Sequence, residues 1–429
     1  MPFPPPAQKA MTMLNREAFK RTIKVYAVRI PSAKVMAFQK QIRSALCAKS
    51  DLFNQPKLRN VVDDGESKET RLVLLRSDVT SPELKEVSDE GKKIIESEGL
   101  GIAEHVIDLQ YDYWTSEEVL RAILPDELTE VPSAFTAVGH IAHMNLREEY
   151  LPWKGIIGQV ILDLMVPIVD LQKNKTIKTV VNKLDAIDTT FRFFKMEILA
   201  GEDNMIAEVK ESGCRFRFDF SQVYWNSRLH TEHDRLIQQF AKNEYVCDVF
   251  AGVGPFALPA AKKGCNVYAN DLNPVSYKWM MENIKLNKIK DNLRGYNLDG
   301  REFIHKAIAD LDLAMNGGDK WKTFDHFVMN LPATAIEFLD AFRGAYKSKK
   351  TIYEQSGSPK LPMVHCHCFS KSSTPNIDIM ERIQHATGEP VDAASTFVHW
   401  VRKVAPNKDM YCVSFRLTPD MIFAETRSA

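Results

Sequence analysis

The chain has 429 residues, 45% of them hydrophobic and 26% charged, so it is too long for one ordinary domain and too apolar to be disordered. Its 56 Lys and Arg equal its 56 Asp and Glu, and over the whole chain this neutrality argues against a protein that coats nucleic acid. The neutrality is a cancellation, because residues 1–50 hold ten Lys or Arg and one Glu, whereas residues 61–130 hold seven Lys or Arg and nineteen Asp or Glu.

The cysteines and the apolar segments exclude two further classes of protein. The seven cysteines are odd in number and scattered, which indicates reduced thiols rather than a secreted disulfide framework. The longest apolar segment, residues 155–171, is interrupted by Asp163, Pro167 and Asp170, so we expect no membrane span.

The N-terminal part is predicted to be a leader followed by a small domain. The first thirty residues are rich in Lys and Arg and poor in acid, as a mitochondrial presequence would be, so we predict a basic leader over residues 1–17; the alternative is a basic arm of a folded domain. Three strand-like runs then alternate with two helical patterns, which predicts an α+β domain over residues 18–112. In chain order these elements are 23–30, 32–46, 70–75, 81–98 and 101–109.

The remaining chain is predicted to hold a linker and two more domains. The polar, acidic stretch at residues 113–132 indicates a linker. Residues 133–230 combine a helical pattern at 153–165 with several strand-like runs, which predicts a second α+β domain. Those runs are 135–138, 177–181, 190–199, 205–209 and 214–220. From residue 231 to residue 429, strands and helices alternate at the spacing of a parallel sheet, so we predict an α/β domain.

The first strand of this α/β domain leads into a glycine-containing turn. Asp248 ends the strand, and Gly252 and Gly254 follow before a predicted helix at 256–262. Glycines there let backbone N–H groups approach a ligand at the carboxyl end of a strand. A nicotinamide dinucleotide fingerprint needs a third glycine, but Ala257 stands at that position, so only its looser form remains.

The next three strands also end in polar residues. Asp271 follows the strand at 266–270 and is suited to accept hydrogen bonds from ribose hydroxyls. The strands at 294–298 and 324–329 are followed by Asp299–Gly300 and by Asn330–Pro332. A single Asp at a strand end is most often a helix cap. Four such ends in series, however, resemble the class I S-adenosylmethionine-dependent methyltransferases.

Longer motifs resemble one family among those enzymes. In order, they are residues 139–147, 183–187, 224–235, 250–256, 270–274 and 330–332. They are similar to the eukaryotic and archaeal tRNA guanine-37 N1-methyltransferases over roughly residues 20–425. The resemblance implies a class I Rossmann-like catalytic domain behind two smaller α+β domains, with S-adenosylmethionine as methyl donor and no metal. The acceptor would be N1 of guanosine 37 in tRNA, the first step toward wybutosine in phenylalanine tRNA.

Methylation at this nitrogen requires two catalytic groups. A base must remove the N1 proton, and a cation must stabilise the negative charge that moves to O6. The resemblance implies Glu232 as the base and Arg192 as the cation. The alternative for Glu232 is a first-turn carboxylate favoured by the helix dipole or by a capping box, and the alternative for Arg192 is an interior ion pair.

The remaining site residues are also implied by motif position. The target base would be extruded into a pocket formed by Tyr224, Asn330 and Pro332, with Tyr224 as stacking partner; ordinary core packing is the alternative for Tyr224. Arg228 would hold phosphate or cofactor. The residues implied at the cofactor are His233, Asp248, Gly252, Gly254, Asp271, Leu272, Asp299, Gly300 and Asn330.

The resemblance further implies that the domain at residues 18–112 docks on the outer corner of tRNA, where its Lys and Arg would neutralise phosphates. A second basic cluster, at residues 343–350, is either another phosphate contact or a solvated loop. The segment His365–Cys368 is predicted to be a core strand rather than a metal site, because strand alternation puts its histidines and cysteines on opposite faces.

Two other functions stay open at this point. One is the wybutosine-pathway transfer of an aminocarboxypropyl group from S-adenosylmethionine, and the other is tRNA binding without catalysis. Pro255 favours methyl transfer by resemblance, and the presence of Arg192, Glu232 and Asp271 counts against a non-catalytic protein. We expect a monomer in the cytoplasm, nucleus or mitochondrial matrix.

Overall fold

A computed structural model describes residues 3–9, 11–44, 51–99, 101–164, 177–187, 194–314 and 321–425. The chain divides into two compact units, each assembled from segments that are distant in sequence. The first holds Met1–Phe135, Leu146–Thr176 and Leu199–Gly201, and the second holds Thr136–Asn145, Ile177–Ile198 and Glu202–Ala429. Compactness does not show which parts fold independently, so the three-domain division stays a prediction.

The first unit contains an antiparallel sheet. Its strands are β1 Arg21–Pro31, β2 Val61–Asp63, β3 Thr70–Leu74 and β4 Ile102–Leu109, in the order β2-β3-β1-β4. Its helices are α1 Val35–Ser44, α2 Asp89–Glu98, α3 Ser116–Ile123 and α4 Lys154–Leu164. Strands β1, β3 and β4 lie where the sequence predicts them, whereas the three-residue strand β2 was not predicted. Helix α2, however, is shorter than predicted, because Ser88 caps its first turn and Leu84 ahead of it has a left-handed φ of 55°.

The predicted linker and leader are both structured in their described residues. Helix α3 lies within the linker and is stabilised by a capping box between Thr115 and Glu118, which the prolines nearby obscured. The indole of Trp114 donates to the carbonyl of Phe3 at 2.9 Å, and Lys9 donates to the carbonyl of Leu124 at 2.8 Å. The leader therefore lies against α3 in the first unit.

The second unit begins with short strands. They are β5 Thr136–Val138, β6 Ile141–Met144, β7 Thr179–Ile187, β8 Phe194–Gly201, β9 Ile206–Glu211 and β10 Cys214–Asp219. The first four form a sheet in the order β5-β6-β7-β8, and β9 pairs with β10 as an antiparallel hairpin. In β10, Phe216 and Phe218 are buried while Arg215 and Arg217 point outward, the alternation of a half-buried strand.

A seven-stranded sheet forms the rest of the second unit. Its strands are β11 Tyr245–Asp248, β12 Asn266–Asn270, β13 Leu293–Tyr296, β14 His326–Met329, β15 Met363–Ser370, β16 Phe397–Ala405 and β17 Lys408–Arg416. The helices are α5 His230–Gln238, α6 Ala257–Lys263, α7 Pro274–Leu286, α8 Gly300–Ala314, α9 Lys350–Gln355, α10 Pro375–Thr387 and α11 Pro419–Ile422. The order is β13-β12-β11-β14-β15-β17-β16. Strands β11 to β15 are parallel, and β17 and β16 add an antiparallel edge.

This topology confirms the predicted fold class and places the site. The chain proceeds from β11 to β12 on one side and later returns to β14 on the other side of β11. Ligands in open α/β sheets bind at the carboxyl ends of the strands beside such a switch point. None of the helices in the described parts of the chain is long and apolar enough to cross a membrane.

Candidate active site

The turn after β11 has the backbone geometry that its glycines indicated. Gly252 and Gly254 adopt left-handed φ values of 57° and 97°, which side chains with a Cβ avoid. A Cβ on Gly254 would lie 2.1 Å from the Leu258 Cδ1 atom, whereas a Cβ on Gly252 would meet no atom within 4 Å. The first glycine therefore borders open space, and the second allows close packing of helix α6.

Asp271 ties this turn to the end of β12. Its carboxylate accepts hydrogen bonds from the backbone N–H of Gly252 at 2.8 Å and of Asn273 at 2.9 Å. Burial raises the pKa of Asp271 to about 6, although these two hydrogen bonds oppose the rise. Asp271 is partly exposed as a residue at the carboxyl end of the sheet, and its carboxylate retains lone pairs for further donors.

Asp248 is a buried acid at the end of β11. It is 0% exposed, and among the described residues no donor meets either carboxylate oxygen in full hydrogen-bond geometry. Burial, together with the nearby charge of Asp271, raises the pKa of Asp248 well above its usual range, although the nearby Phe250 N–H opposes the rise. A buried polar group without a partner is costly, so these oxygens suit a ligand that donates hydrogen bonds.

The ends of β12 and β13 are joined through Asn270. Its amide donates to the carbonyls of Val249 and Leu298, and its oxygen accepts from the Leu298 N–H at 2.9 Å. Asp299 accepts from the Arg301 N–H at 2.9 Å, so it caps helix α8, as the alternative for such residues predicted. Hydrogen bonds of Asn270 thus join the carboxyl ends of β11, β12 and β13.

Gly300 and Leu272 lie beside these strand ends and border the space next to them. A Cβ on Gly300 would lie 2.8 Å from the ring of Phe250. The Leu272 side chain is 48% exposed beside Asp271.

Glu232 lies in the first turn of α5 within a cluster of charged and polar groups. It is 4% exposed, and its two oxygens accept from the Arg235 guanidinium at 2.6 and 2.7 Å. His367 Nε2 on β15 lies 2.8 Å from one oxygen, and His399 Nε2 on β16 lies 3.6 Å from the other. Burial raises the pKa of Glu232, but the hydrogen bonds from Arg235 and His367 outweigh it and hold the pKa at about 2.

The same cluster is the one grouping of metal-ligand types found among the described residues. Ligand atoms of Glu232, His367 and Cys412 lie within 4.8 Å of one another. Arg235 already pairs with both Glu232 oxygens and supplies the positive charge that a metal ion would bring. The segment His365–Cys368 lies within β15. Its cysteines, Cys366 and Cys368, pack in a hydrophobic core on one face of the sheet, and His365 is hydrogen-bonded to the Ser414 hydroxyl on the other face. The core-strand prediction is confirmed, and the expectation that no metal is needed stays a prediction.

Other predicted residues lie at the rim or are engaged elsewhere. Tyr224 is 46% exposed, so core packing does not explain it. His233 is buried and pairs through Nδ1 with Glu211 of β9. The Asn330 side-chain oxygen is buried and has no partner among the described residues, and the carbonyl of Pro332 accepts from Phe369 N–H at 2.9 Å. Arg192 lies outside the described residues.

Several cations of the two basic segments form ion pairs and are therefore less available to bind phosphate than the sequence suggests. Four of the ten basic residues in 1–50 form ion pairs with the acidic segment 61–130, namely Lys9, Lys24, Arg29 and Lys34. In the second basic cluster, Lys347 pairs with Glu425 and Lys349 with Asp312. By contrast, Arg228 is exposed and has no acidic partner in the described parts of the chain.

Several residues of the site were not assigned to it from the sequence, although His367 lies in the segment predicted to be a core strand. Arg235 and His367 hold Glu232, and Asn270 joins the strand ends. Arg235 was detectable, because an Arg three residues after a Glu faces it on a helix. His367 and His399 reach Glu232 from strands more than 130 residues away in sequence, and only the antiparallel edge of the sheet brings them there.

Comparisons with known proteins agree with this architecture. Residues 207–363 match the family model described as the TRM5/TYW2 methyltransferase domain, and residues 116–204 match that of the TYW2 N-terminal domain. The tRNA (guanine(37)-N(1))-methyltransferase of Batrachochytrium dendrobatidis is 46% identical over 99% of this chain and 92% of its own length. The enzyme of that name from Coprinopsis cinerea is 45% identical over 98% and 97%. The crystal structure of Trm5b from Pyrococcus abyssi shares the fold, with a TM-score of 0.58 and 23% identity over 91% of this chain and 99% of that chain.

Proposed function

Because the chain belongs to the tRNA (guanine(37)-N(1))-methyltransferase family, we propose that it transfers the methyl group of S-adenosylmethionine to N1 of guanosine 37 in tRNA. The observation that carries this proposal is similarity over 99% of the chain to an enzyme of that name. The polar ends of the parallel strands support it, because they provide a nucleoside-type site at the switch point of the sheet.

S-adenosylmethionine, when bound, supplies an electrophilic methyl group. We assign its binding to the carboxyl ends of β11 to β14. Asp271 would accept hydrogen bonds from ribose hydroxyls, and the unpartnered oxygens of Asp248 and Asn330 would accept further donors. Gly252 borders the open space where a backbone N–H approaches a ligand. The remaining residues assigned to this site are His233, Gly254, Leu272, Asp299 and Gly300.

Glu232 is assigned to accept the N1 proton of guanine. Arg235 and His367 keep its carboxylate ionised, which is the form that accepts a proton. They also make it a weak base, because their hydrogen bonds stabilise the charge. A guanine N1–H therefore has to replace one of these contacts before proton transfer. The side toward His399 is the more open one, since the His399 side chain is 34% exposed.

The target base is assigned to Tyr224, Asn330 and Pro332, with the exposed Tyr224 ring available for stacking. Arg192 is assigned to stabilise negative charge at O6, and Arg228 is available for a phosphate. The first unit is assigned to the outer corner of tRNA, where Lys40 and Arg43 of α1 are exposed and have no acidic partner among the described residues. We expect the enzyme to act as a monomer without metal, in the cytoplasm, nucleus or mitochondrial matrix.

The two other functions are not favoured. Aminocarboxypropyl transfer would use the same donor and the same fold, but the relatives that match nearly the whole chain are named methyltransferases. A non-catalytic tRNA-binding protein would not need the buried, unpartnered acid at Asp248, which is costly without a ligand.

Incubation with methyl-labelled S-adenosylmethionine tests the proposal. Label should enter a tRNA transcript with G at position 37 and not one with A there, and nuclease digestion should yield 1-methylguanosine. Label in both transcripts, or in neither, would contradict the proposal, and an aminocarboxypropyl product would select the rival. Glu232→Gln should lower the single-turnover rate by about 100-fold or more with little change in tRNA affinity; its one oxygen can still accept from Arg235 Nη2 and His367, although Arg235 Nε loses its acceptor. Glu282→Gln, on the exposed face of α7, is the matched control.

A further inference from the structure

The edge strand β16 exposes an unusual group of side chains beside Glu232. Phe397 is 59% exposed and Trp400 is 53% exposed. Phe397 is stacked on His399 with 6.2 Å between ring centroids and 22° between the planes. His399 in turn lies 3.6 Å from Glu232. The exposed ring of Phe397 is thus connected through His399 to Glu232, the residue assigned as general base.

The register of the sheet shows which side chains of β16 share the face that carries Glu232. His399 lies opposite Cys412, Phe397 opposite Ser414, and, after a bulge, Arg402 opposite Met410. Cys412 is on the same face as Glu232, and residues two apart on a strand point to the same side. Phe397, His399 and Arg402 therefore lie on one face, which we call the edge face. Trp400, opposite Tyr411, is on the other.

The edge face carries one cation, Arg402, that has no acidic partner among the described residues. Its Nε donates to the neighbouring carbonyl of Lys403. The hairpin formed by β16 and β17 adds Lys403 on the opposite face, and Lys408, whose Nζ lies 4.1 Å from the centroid of the Phe369 ring, against Asp409 alone between residues 397 and 409. An exposed ring beside an unpaired cation is a combination that binds unpaired nucleic acid, since the ring stacks on a base and the cation neutralises a phosphate.

We propose that the edge face binds an unpaired nucleobase of the tRNA anticodon loop adjacent to the target guanine, with Phe397 stacking on that base and Arg402 pairing with its phosphate. This inference rests on the proposed function. Bases within a duplex are covered on both faces and offer no surface to Phe397, so a loop is the part of tRNA that fits. Contact with a neighbouring nucleotide would help hold the extruded guanine near Glu232.

Binding of full-length protein to a fluorescently labelled tRNA transcript with G at position 37 tests the edge face. Phe397→Ala should raise Kd about 5- to 150-fold, the range for loss of one base–aromatic stack. Phe397→Tyr should stay within about twofold of wild type. Trp400→Ala, on the opposite face of the same strand, should also stay within about twofold. Arg402→Gln should reduce the slope of log Kd against log salt by about one.

Abasic substitution on either side of position 37 identifies the stacked base. On one of these two transcripts Phe397→Ala should cause no further loss, because the base that it stacks on is already missing. Equal losses of tRNA affinity for Phe397→Ala and Trp400→Ala would overturn the inference. So would a loss for Phe397→Ala that adds fully to the loss from the abasic site on both transcripts. A wild-type dimer in light scattering that Phe397→Ala dissociates would also overturn it. A wild-type protein that methylates the transcript while Phe397→Ala binds normally would refute this inference alone. Failure of the wild type to methylate would refute the proposed function.

Discussion

Substitution of Asp271 by Asn separates the stability of the second unit from its affinity for the methyl donor. The carboxylate receives two backbone N–H groups, from Gly252 and Asn273, and it is the residue assigned to the ribose hydroxyls. An Asn side chain has nearly the same shape but only one oxygen. One of the two N–H groups would therefore face an amide NH2 group and lose its acceptor.

Two opposing terms set the effect on stability. Burial raises the pKa of Asp271 from 3.8 to about 6, so the folded state binds more protons than the unfolded state between these values. The contribution of Asp271 to the free energy of unfolding is full below pH 4 and falls as the pH rises toward 6. At pH 7 this contribution is lower by at most about 3 kcal/mol, which follows from the difference between the two pKa values. It is an upper bound because Asp271 is partly exposed to solvent. Asn removes that penalty but loses one charge-assisted hydrogen bond, which costs about 1.5–3 kcal/mol. The free energy of unfolding at pH 7 should hardly change.

Affinity for S-adenosylmethionine should change much more. Loss of hydrogen bonds between a carboxylate and ribose hydroxyls costs about 1.5–3 kcal/mol, or about a 10- to 150-fold rise in Kd. In the wild type, affinity should also weaken below pH 6, where Asp271 becomes protonated, and Asp271→Asn should lack this dependence. Isothermal titration calorimetry between pH 5 and 8 measures both effects, with Asp291→Asn at the amino end of β13 as control. Wild-type affinity in Asp271→Asn at pH 7 would refute the assignment.

Three further substitutions test the geometry of the site and of the first unit. Gly254→Ala should raise the Kd for S-adenosylmethionine in calorimetry by about 5- to 150-fold, because the φ of 97° strains Ala by about 1–3 kcal/mol and the new Cβ, 2.1 Å from Leu258 Cδ1, would displace that side chain; unchanged affinity would contradict this. Arg235→Met should lower the free energy of unfolding in urea by about 3–5 kcal/mol, because Glu232 would be buried without its cation, and adding Glu232→Gln should restore part of the loss; equal stability of the single and double variants would count against the ion pair. Thr115→Ala should destabilise the first unit by about 1 kcal/mol in the same assay by removing the capping box of α3, and wild-type stability would show that tertiary contacts alone hold the helix.

The parallel part of the large sheet was predictable from the sequence because its signals are local. Strand β12 has the predicted range, 266–270, since an apolar run followed by Asp marks its end. The glycine turn was predictable for the same reason, because positive φ at Gly252 and Gly254 is a property of the residues themselves.

The surroundings of Glu232 depend on contacts that are distant in the sequence. The motif indicated Glu232, but His367 and His399 come from strands whose antiparallel pairing through β17 fixes their register. Local patterns contain no information about that register. The same holds for Phe397, which is one apolar residue in a strand-like run until the sheet order places it on an uncovered edge.

A count of charged residues in a segment does not show which of its cations are free to bind a polyanion. The excess of Lys and Arg in residues 1–50 suggested a surface for polyanions, and the acidic excess in residues 61–130 seemed a separate property. In the fold, β1 pairs with β3 and β4, which brings basic and acidic segments side by side and joins them by ion pairs such as Arg29 with Asp64. Cations neutralised in this way contribute little to counterion release. Salt-dependent tRNA affinity should therefore depend more on cations without acidic partners in the described residues, such as Arg43, Arg228 and Arg402, than on the paired cations of the N-terminal segment.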